Sequence, residues 1–403
     1  MRIRFIPFKK LPYSDTCWAL IEGPDDRVYI AGCNEHSSGG TVYLVRYNPA
    51  TEELEYLLDV AEVVEELPTN RRATQCKVHF SMMVDDQGIL YAATHLSGPA
   101  IDQTRYSPWG TFNDPLRSYI GARAFAYDTR SEKVLWTDTL IPWEGCRCMG
   151  LDRKRGLLYS AGYPSNHFYV YDIASHKRRD LGRLGSVNPF VIWFDSRFRA
   201  YTTDDYGHIV VYDPDSDKLV FSDVRAACAP YQDGWHSMIY DGVQVPGTED
   251  IVGVTWNIDP YLFRFSPGAE IGTGAVKSLG PASPGLDGCE PRGMNTDHTG
   301  GLVFSAAGEL FYCVSLPASK QDLTRSGAEL KVMNIETGQW RKICDLVDET
   351  GVKINYISRA ARIGPRHLVM GVVGQTPTGI LHVELDDEYA RGPWQSTPRR
   401  YWG

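Results

Sequence analysis

The sequence contains no long apolar stretch and no extended block rich in Lys and Arg. No run approaches the roughly 20 apolar residues of a membrane-spanning helix, so a membrane partner is not expected. Lys and Arg number 41 against 50 Asp and Glu, which gives a formal net charge of -9. Bulk attraction to a nucleic acid is therefore not expected. A local basic cleft would still suit an anionic sugar.

The N-terminal residues, MRIRFIPFKKLPYSD, lack the apolar region and small-residue cleavage site of a secretory signal. The nine cysteines are an odd number at irregular spacing, and Cys146 and Cys148 are too close for the usual zinc knuckle. We expect buried thiols in a reducing compartment. The expected location is the cytoplasm, or outside the cell after removal of a signal peptide.

Strong helical signals are also scarce, and the best candidate, residues 61–66, is short. What recurs is a strand, a tight turn, a second strand, a loop and an aromatic-Asp/Asn element. This element is clearest in the segments that begin at Tyr43, Ala124, Phe168 and Ile209, and weaker in those that begin at Tyr261 and Leu330. Its tyrosines are 44 residues apart (171 − 127) and then 41 apart (212 − 171). A period of about 40 to 45 residues with four strands per repeat is typical of a β-propeller blade.

The sequence therefore predicts an all-β fold, namely a single seven-bladed β-propeller over residues 1–403, as a monomer. The predicted blades begin near Cys17, Val78, Arg147, Asn188, Trp235, Arg292 and Tyr356. The last blade lacks a clear outermost strand, whereas residues 2–10 form a strand that belongs to no blade. Pairing of that N-terminal strand with the last blade would close the ring and remove an exposed sheet edge.

Two insertions, residues 96–123 and 315–329, fall between the second and third strands of their blades. In a propeller, such loops share a face with the loops that lead into each first strand. Tyr106 and Trp109 in the first insertion are suited to stacking on sugar rings. The alternative is a small apolar core within the loop itself.

Residues 77–95, KVHFSMMVDDQGILYAATH, predict two strands joined by a tight turn. His79 opens the first strand and His95 closes the second, 16 residues later (95 − 79). Antiparallel pairing brings these ends together, so both imidazoles are expected side by side on one rim. The alternative is a pair of polar rim residues without a role.

The next blade repeats this spacing, since Arg147 opens a strand and Tyr163 closes the following one 16 residues later (163 − 147). Both are therefore expected on the same rim, one blade along. Arg183 is expected in the loop that leads to the following blade. A rim rich in guanidinium and imidazole groups suits a carboxylate substrate. Further candidates for substrate binding are Arg179, Asn188, Trp235, His236, Trp256 and Arg292.

These residue types suit β-elimination at a uronic acid. The C5 proton beside the carboxylate is weakly acidic, and a cation on the carboxylate stabilises the developing enolate. A His or Tyr side chain can remove that proton, and another can protonate the leaving oxygen. An arginine suits the carboxylate because its planar fork binds both oxygens.

The motifs K-x-H and D-x-G-x-L-Y-x-x-T-H, followed by Y-P-x-x-x-F-x-x-Y-D and D-L-G-R, resemble those of the β-propeller polysaccharide lyases, which include ulvan lyases and rhamnose-α-1,4-glucuronate lyases. The resemblance implies cleavage of a bond to O4 of glucuronate, often beside rhamnose, which leaves a 4,5-unsaturated uronate. It also implies that two histidines, a tyrosine and an arginine serve the elimination. The matching positions are His79, His95 and Tyr163, and the arginine is open among Arg183, Arg179 and Arg147. We expect His95 and Tyr163 to be the base and acid, in either order, and His79 and the arginine to neutralise the carboxylate.

Two other functions are compatible with the fold. One is a non-catalytic propeller that binds a protein or glycan partner, although the Trp-Asp and Gly-His signatures that recur in common scaffold propellers do not recur here. The other is a metal-dependent lactonase or hydrolase, which needs an acidic ring around Ca²⁺. Asn188 and Asp204 are the candidates for that ring, and no convincing ring is visible. No cofactor is expected to be required, and a structural Ca²⁺ or Zn²⁺ stays open.

Overall fold

The fold is built almost entirely from short antiparallel strands, in a computed structural model that describes residues 1–66, 71–96, 117–228, 237–256, 260–282, 298–316 and 327–396. The two helices of these residues, α1 (Val60–Val63) and α2 (Asp387–Ala390), are one turn long. Neither helix of this described part has the length and apolar character needed to cross a membrane. The prediction of an all-β chain is confirmed.

The described residues form 28 strands. In chain order these are β1 (Arg2–Pro7), β2 (Leu20–Glu22), β3 (Val28–Cys33), β4 (Val42–Asn48), β5 (Glu53–Asp59), β6 (Lys77–Val84), β7 (Ile89–His95), β8 (Gly121–Asp128), β9 (Lys133–Pro142), β10 (Gly145–Asp152), β11 (Leu157–Tyr163), β12 (His167–Asp172), β13 (Lys177–Arg183), β14 (Trp193–Phe194), β15 (Ala200–Thr203), β16 (His208–Asp213), β17 (Lys218–Arg225), β18 (Ile239–Gln244), β19 (Ile251–Thr255), β20 (Tyr261–Pro267), β21 (Gly274–Pro281), β22 (His298–Phe304), β23 (Leu310–Leu316), β24 (Gly327–Met333), β25 (Trp340–Asp345), β26 (Ile357–Ile363), β27 (His367–Val372) and β28 (Gly379–Glu384).

Neighbouring strands in each sheet are mostly neighbours in the chain. In the described residues, four-stranded sheets have the orders β2-β3-β4-β5, β14-β15-β16-β17, β18-β19-β20-β21, β22-β23-β24-β25 and β1-β28-β27-β26. One eight-stranded sheet has the order β13-β12-β11-β10-β6-β7-β8-β9. This larger sheet consists of two consecutive sets of four strands, joined where Cys148 of β10 pairs in parallel with Phe80 of β6.

The first strand of the chain completes the last sheet. β1 is hydrogen-bonded to β28, so β26, β27 and β28 gain their fourth strand from the N-terminal residues. The two insertions fall between β7 and β8 and between β23 and β24, and both are shorter than the sequence predicts, because β8 begins at Gly121, β23 ends at Leu316 and β24 begins at Gly327. Most residues of these insertions, 97–116 and 317–326, are outside the described residues.

The chain forms two compact units. The N-terminal unit comprises residues 6–183 and 371–380, and the C-terminal unit comprises residues 1–5, 184–370 and 381–403. In the N-terminal unit, the core of the eight-stranded sheet buries side chains such as Tyr91, Leu140, Met149 and Tyr171. β3 is buried along its whole length, whereas the edge strand β13 is mostly exposed. In the eight-stranded sheet, His79, His95, Arg147 and Tyr163 lie on β6, β7, β10 and β11, whereas Arg179 and Arg183 lie on the edge strand β13.

Candidate active site

The β6–β7 hairpin sets the position of the two histidines. Gly88 has a φ of +85°, a left-handed conformation that favours glycine. Asp85 closes the turn, since its backbone N–H donates to Ile89 O at 3.0 Å and its Oδ1 accepts from the Gln87 and Ile89 backbone N–H groups. At the other end of the hairpin, Lys77 pairs with His95. The hairpin therefore holds His79 and His95 at the same end of the sheet.

Two bulges redirect side chains at this end. The pairing of β6 with β7 is irregular between Val78 and Met82, the stretch that contains His79. The pairing of β10 with β11 shifts between Cys146 and Cys148, so Arg147 is the extra residue. A bulge bends its strand and re-aims a side chain, and bulges are over-represented beside active sites.

Four side chains of the N-terminal unit meet here, and we call His79, His95, Arg147 and Tyr163 the His-Tyr-Arg cluster. The ring of His95 lies between the other two rings, with centroids 5.5 Å from His79 and 5.1 Å from Tyr163. Arg147 contacts the same two partners of His95. Its Nη1 is 3.2 Å from His79 Nε2, and its Cζ lies 4.5 Å from the centroid of the Tyr163 ring. The cluster therefore joins two imidazoles, a phenol and a guanidinium.

The contacts determine the protonation of the two imidazoles. A guanidinium only donates hydrogen bonds, so His79 Nε2 accepts from Arg147, and a neutral His79 carries its proton on Nδ1. His95 is 2% exposed. Burial, followed by the positive charges of Arg147 and Lys77, holds the pKa of His95 well below its usual range. His95 is therefore neutral at neutral pH and has a lone pair available to accept a proton.

Gly145 provides the space for His95. A Cβ at position 145 would overlap His95 Nδ1 and come within 2.6 Å of Leu96 Cδ2. We expect Gly145→Ala to displace the His95 ring, with a cost of about 1–3 kcal/mol in the free energy of unfolding from overpacking. If His95 is catalytic, misplacement of this order costs about 100-fold in activity.

Gly156→Ala is the control for this prediction. Gly156 lies in the turn between β10 and β11 with a φ of +66°, and no heavy atom is within 4 Å of an added Cβ. Alanine in this left-handed conformation costs about 1–2 kcal/mol, so we expect Gly156→Ala to lose stability with unchanged activity. Denaturant unfolding and the elimination assay described below test both variants. If Gly145→Ala has the activity and the free energy of unfolding of the wild type, the proposed role of Gly145 is contradicted.

Trp18 and the buried ion pair of Glu35 with Lys77 support the cluster. The indole of Trp18 stacks on His79, with centroids 4.9 Å apart and an interplanar angle of 12°. Its Nε1–H donates to Glu35 Oε2 at 2.6 Å, and Lys77 Nζ donates to Glu35 Oε1 at 2.6 Å. Burial alone would raise the pKa of Glu35, but Lys77 and the hydrogen bond from Trp18 lower it to about 2. Glu35 is therefore ionised throughout the neutral range.

The sequence analysis missed Trp18 and Glu35, although the repeat contains a signal for both. Glu35 follows the second strand of its set (β3), as His95 closes the second strand of the next set. Trp18 precedes the first strand of its set (β2) at the same end. Trp18 and Glu35 therefore occupy positions in the first repeat that correspond to those of His79 and His95 in the second.

The structure distinguishes among the three candidate arginines by location. Arg147 lies in the cluster, whereas Arg183 and Arg179 lie on the exposed edge strand β13. Arg183 is the last residue of β13, so the expectation that it sits in the following loop is wrong. Two other candidates, Asn188 and Trp256, belong to the C-terminal unit. Asn188 is buried and precedes β14 in the chain. Trp256 is half-buried, and its ring centroid lies 5.7 Å from that of Phe190. Tyr106, Trp109, Trp235, His236 and Arg292 lie outside the described residues.

No group of three or more His, Cys, Asp or Glu side chains that could hold a metal ion occurs in the described ranges. Asp204 is a candidate for a calcium ring. Its Oδ2 lies 2.9 Å from His208 Nδ1, and its Oδ1 accepts hydrogen bonds from the Tyr206 and His208 backbone N–H groups. These contacts give Asp204 the role of a turn former.

Comparison with known proteins yields structural likeness only. No protein-family model matches the sequence, and no curated protein matches it. One similar structure is the extracellular domain of BT4673 from B. thetaiotaomicron, described as a one component system, with a TM-score of 0.58 and 14% identity. That match covers 96% of this chain, and this chain spans only 40% of the length of that chain.

Two further similar structures match this chain over almost the whole length of both chains. U3-55K matches with a TM-score of 0.54 and 12% identity over 95% of this chain and 98% of that chain. The RRP9 WD40 repeats match with a TM-score of 0.55 and 12% identity over 96% of this chain and 98% of that chain. WD40 repeats form β-propellers. At these identities the likeness shows the fold alone, which is all-β and propeller-like.

Proposed function

We propose that the chain is a seven-bladed β-propeller lyase that cleaves a glycosidic bond to O4 of a uronic acid by β-elimination. The substrate proposed is a glycan that contains rhamnosyl-α-1,4-glucuronate. Seven consecutive sets of four strands in the described residues support the blade count. The pairing of β1 with β28 supports closure of the ring by the N-terminal strand. The observation that carries the function is the cluster, in which His95 lies between His79 and Tyr163 while Arg147 contacts both of them.

In the proposed mechanism, Arg147 binds the uronate carboxylate and stabilises the negative charge that develops as C5 loses its proton. The bond from C5 to hydrogen breaks, its electrons form the double bond between C4 and C5, and the bond from C4 to O4 breaks. O4 leaves with an electron pair and takes up a proton. No water is consumed, and the products are a 4,5-unsaturated uronate and the released sugar that retains O4.

His95 and Tyr163 divide the two proton transfers between them. His95 is neutral and buried, so its lone pair can accept the C5 proton, and Tyr163 can then donate to O4. The reverse assignment, with Tyr163 as the base and His95 as the acid, requires a protonated His95, which its low pKa disfavours. His79 assists Arg147, because its Nε2 accepts from Nη1 and thereby fixes the direction of the guanidinium.

The low pKa of His95 leads to a pH prediction. A neutral His95 is required if it is the base, and its pKa lies below the usual value of about 6.5 for histidine. We therefore expect kcat/KM to stay constant as the pH falls through 6.5 and to decline only in more acidic buffer. The charged and titratable groups that contact the ring or shift its pKa are Arg147, Lys77, His79 and Tyr163. An acidic limb at or above pH 6.5 would contradict this assignment.

A direct assay tests the proposal. The protein is incubated with glucuronate-containing glycans, and the ultraviolet absorbance of the conjugated unsaturated uronate is followed over time. Growth of this absorbance that persists in the presence of a chelator supports the lyase. Cleavage that gives no such absorbance and stops with the chelator would favour the metal-dependent hydrolase instead.

A second candidate function is non-catalytic binding of the same acidic glycan by the same cluster. The observation that favours it is the low pKa of His95, because a weakly basic imidazole is a poor proton acceptor. Calorimetric binding of an acidic oligosaccharide without formation of an unsaturated product would support this function. Loss of that binding in Arg147→Met would place it at the cluster.

A further inference from the structure

Trp18 is in contact with the two charged groups beside the cluster and with one of its imidazoles. Its indole stacks on His79 at 4.9 Å, and Lys77 Nζ lies 4.9 Å from the centroid of the same indole. Its Nε1–H donates to Glu35 at 2.6 Å. The backbone N–H of Glu35 donates to Asp15 Oδ1 at 2.8 Å, which anchors the chain that carries this carboxylate.

The orientation of His79 matters because its two ring nitrogens differ. Rotation of the ring about its last side-chain torsion is broad, so packing must restrict the plane of the ring for Nε2 to stay within reach of Arg147. Only the present orientation places Nε2 3.2 Å from Arg147 Nη1. The nearly parallel indole, tilted by 12°, restricts the plane of the imidazole.

The indole is itself held rigidly. Glu35 and Lys77 are buried, with 8% and 5% of their side chains exposed, and they form an ion pair at 2.6 Å. The two carboxylate oxygens are used separately, one by Lys77 and one by Trp18. A buried charge pair of this kind is tolerated when further hydrogen bonds satisfy it, and the Trp18 N–H supplies one.

We propose that Trp18 is a positioning residue, anchored by Glu35 and Lys77, that fixes the His79 ring so that Nε2 accepts from Arg147. Trp18 acts through His79 and not on the substrate. The catalytic consequence rests on the proposed function above, whereas the effect on His79 does not.

Histidine-selective nitrogen-15 NMR of the full chain tests the proposal without any substrate. In the wild type we expect the resonances of His79 to show the Nδ1–H tautomer, assigned by their loss in His79→Gln. Trp18→Leu removes both the stacking and the N–H, and we expect a mixture of tautomers. Trp18→Phe keeps an aromatic face, and we expect it to restore most of the wild-type signal.

Trp136→Leu is the matched control. Trp136 lies on β9 and packs against a different histidine, His176, with ring centroids 5.4 Å apart. We expect this variant to leave the His79 resonances unchanged. A wild-type tautomer of His79 in a folded Trp18→Leu variant would overturn the proposal. If Trp18→Leu does not fold, Trp18→Met provides the same comparison, since it also lacks the aromatic face and the N–H, and a wild-type tautomer of His79 in that folded variant would overturn the proposal too.

The elimination assay adds a second readout. We expect Trp18→Leu to lower kcat by about 10–100-fold, as is typical when a residue that orients a catalytic group is lost, with a small change in KM. Trp18→Phe should recover most of this loss. Altered His79 resonances in a protein that never forms unsaturated product would support the positioning role and reject the lyase. Unaltered resonances with full elimination activity would reject the positioning role and leave the lyase standing.

Discussion

His95→Gln is expected to slow formation of the unsaturated uronate by about 10²–10⁴-fold, the usual contribution of a general acid or base. The His95 ring is the centre of the cluster, since it contacts both His79 and Tyr163. Gln is polar and of similar length, but it cannot accept the C5 proton at neutral pH. The loss should fall on kcat, because the carboxylate contact is assigned to Arg147. Initial rates of the absorbance change, measured over a range of substrate concentrations, give kcat and KM separately.

Two variants sharpen this prediction. Tyr163→Phe removes only the hydroxyl, so the ring contacts with His95 and Arg147 can persist. We expect a loss comparable to that of His95→Gln, because the partner proton transfer is removed. His167→Gln is the control, since His167 opens β12 in the same unit and bonds to Asp180 at 2.8 Å. Equal activity in His95→Gln and His167→Gln, with both proteins folded, would exclude His95 from the reaction.

Arg147→Met is expected to reduce kcat/KM by about 10²–10³-fold, the range seen when a group that stabilises developing negative charge is removed. Arg147 is the bulge residue of β10 and bonds to His79 Nε2 at 3.2 Å. Arg147→Lys keeps the charge but loses the planar fork. We therefore expect the Lys variant to lie between Met and the wild type, with a raised KM.

The matched control replaces the arginines of β13. Arg183→Met and Arg179→Met remove the same charge from the exposed edge strand of the same sheet. We expect both to retain activity close to that of the wild type. A large loss in Arg183→Met together with an active Arg147→Met would move the carboxylate site to β13 and contradict the present assignment.

Local signals in the sequence were sufficient for the fold class and for the hairpin. The period of the aromatic-Asp/Asn element predicted sets of four strands, and Asp85 with Gly88 predicted the turn that joins β6 to β7. Because strand pairing is regular near such a turn, the placement of both histidines at one end followed from residue spacing. This placement did not require knowledge of which face of the sheet each side chain occupies.

The choice of arginine and the supporting residues could not be obtained in this way. Arg147 reaches the cluster from a bulge between Cys146 and Cys148, and a bulge depends on the register with β11. Lys77 meets Glu35 across 42 residues, from a different set of strands. Such contacts arise from packing between neighbouring sets of strands, which residue spacing within one set does not describe.

The central claim is that the cluster breaks a carbon-oxygen bond by elimination and without water. Cleavage of a glucuronate-containing oligosaccharide in heavy-oxygen water, followed by mass spectrometry of both products at early times, tests it most directly. Elimination predicts an unsaturated uronate product lighter by one water than its hydrolytic counterpart, with no heavy oxygen introduced by the cleavage step. A saturated uronate product that keeps O4, together with one heavy oxygen at the anomeric carbon of the released sugar, would contradict the account, and so would the absence of cleavage of any uronate-containing glycan.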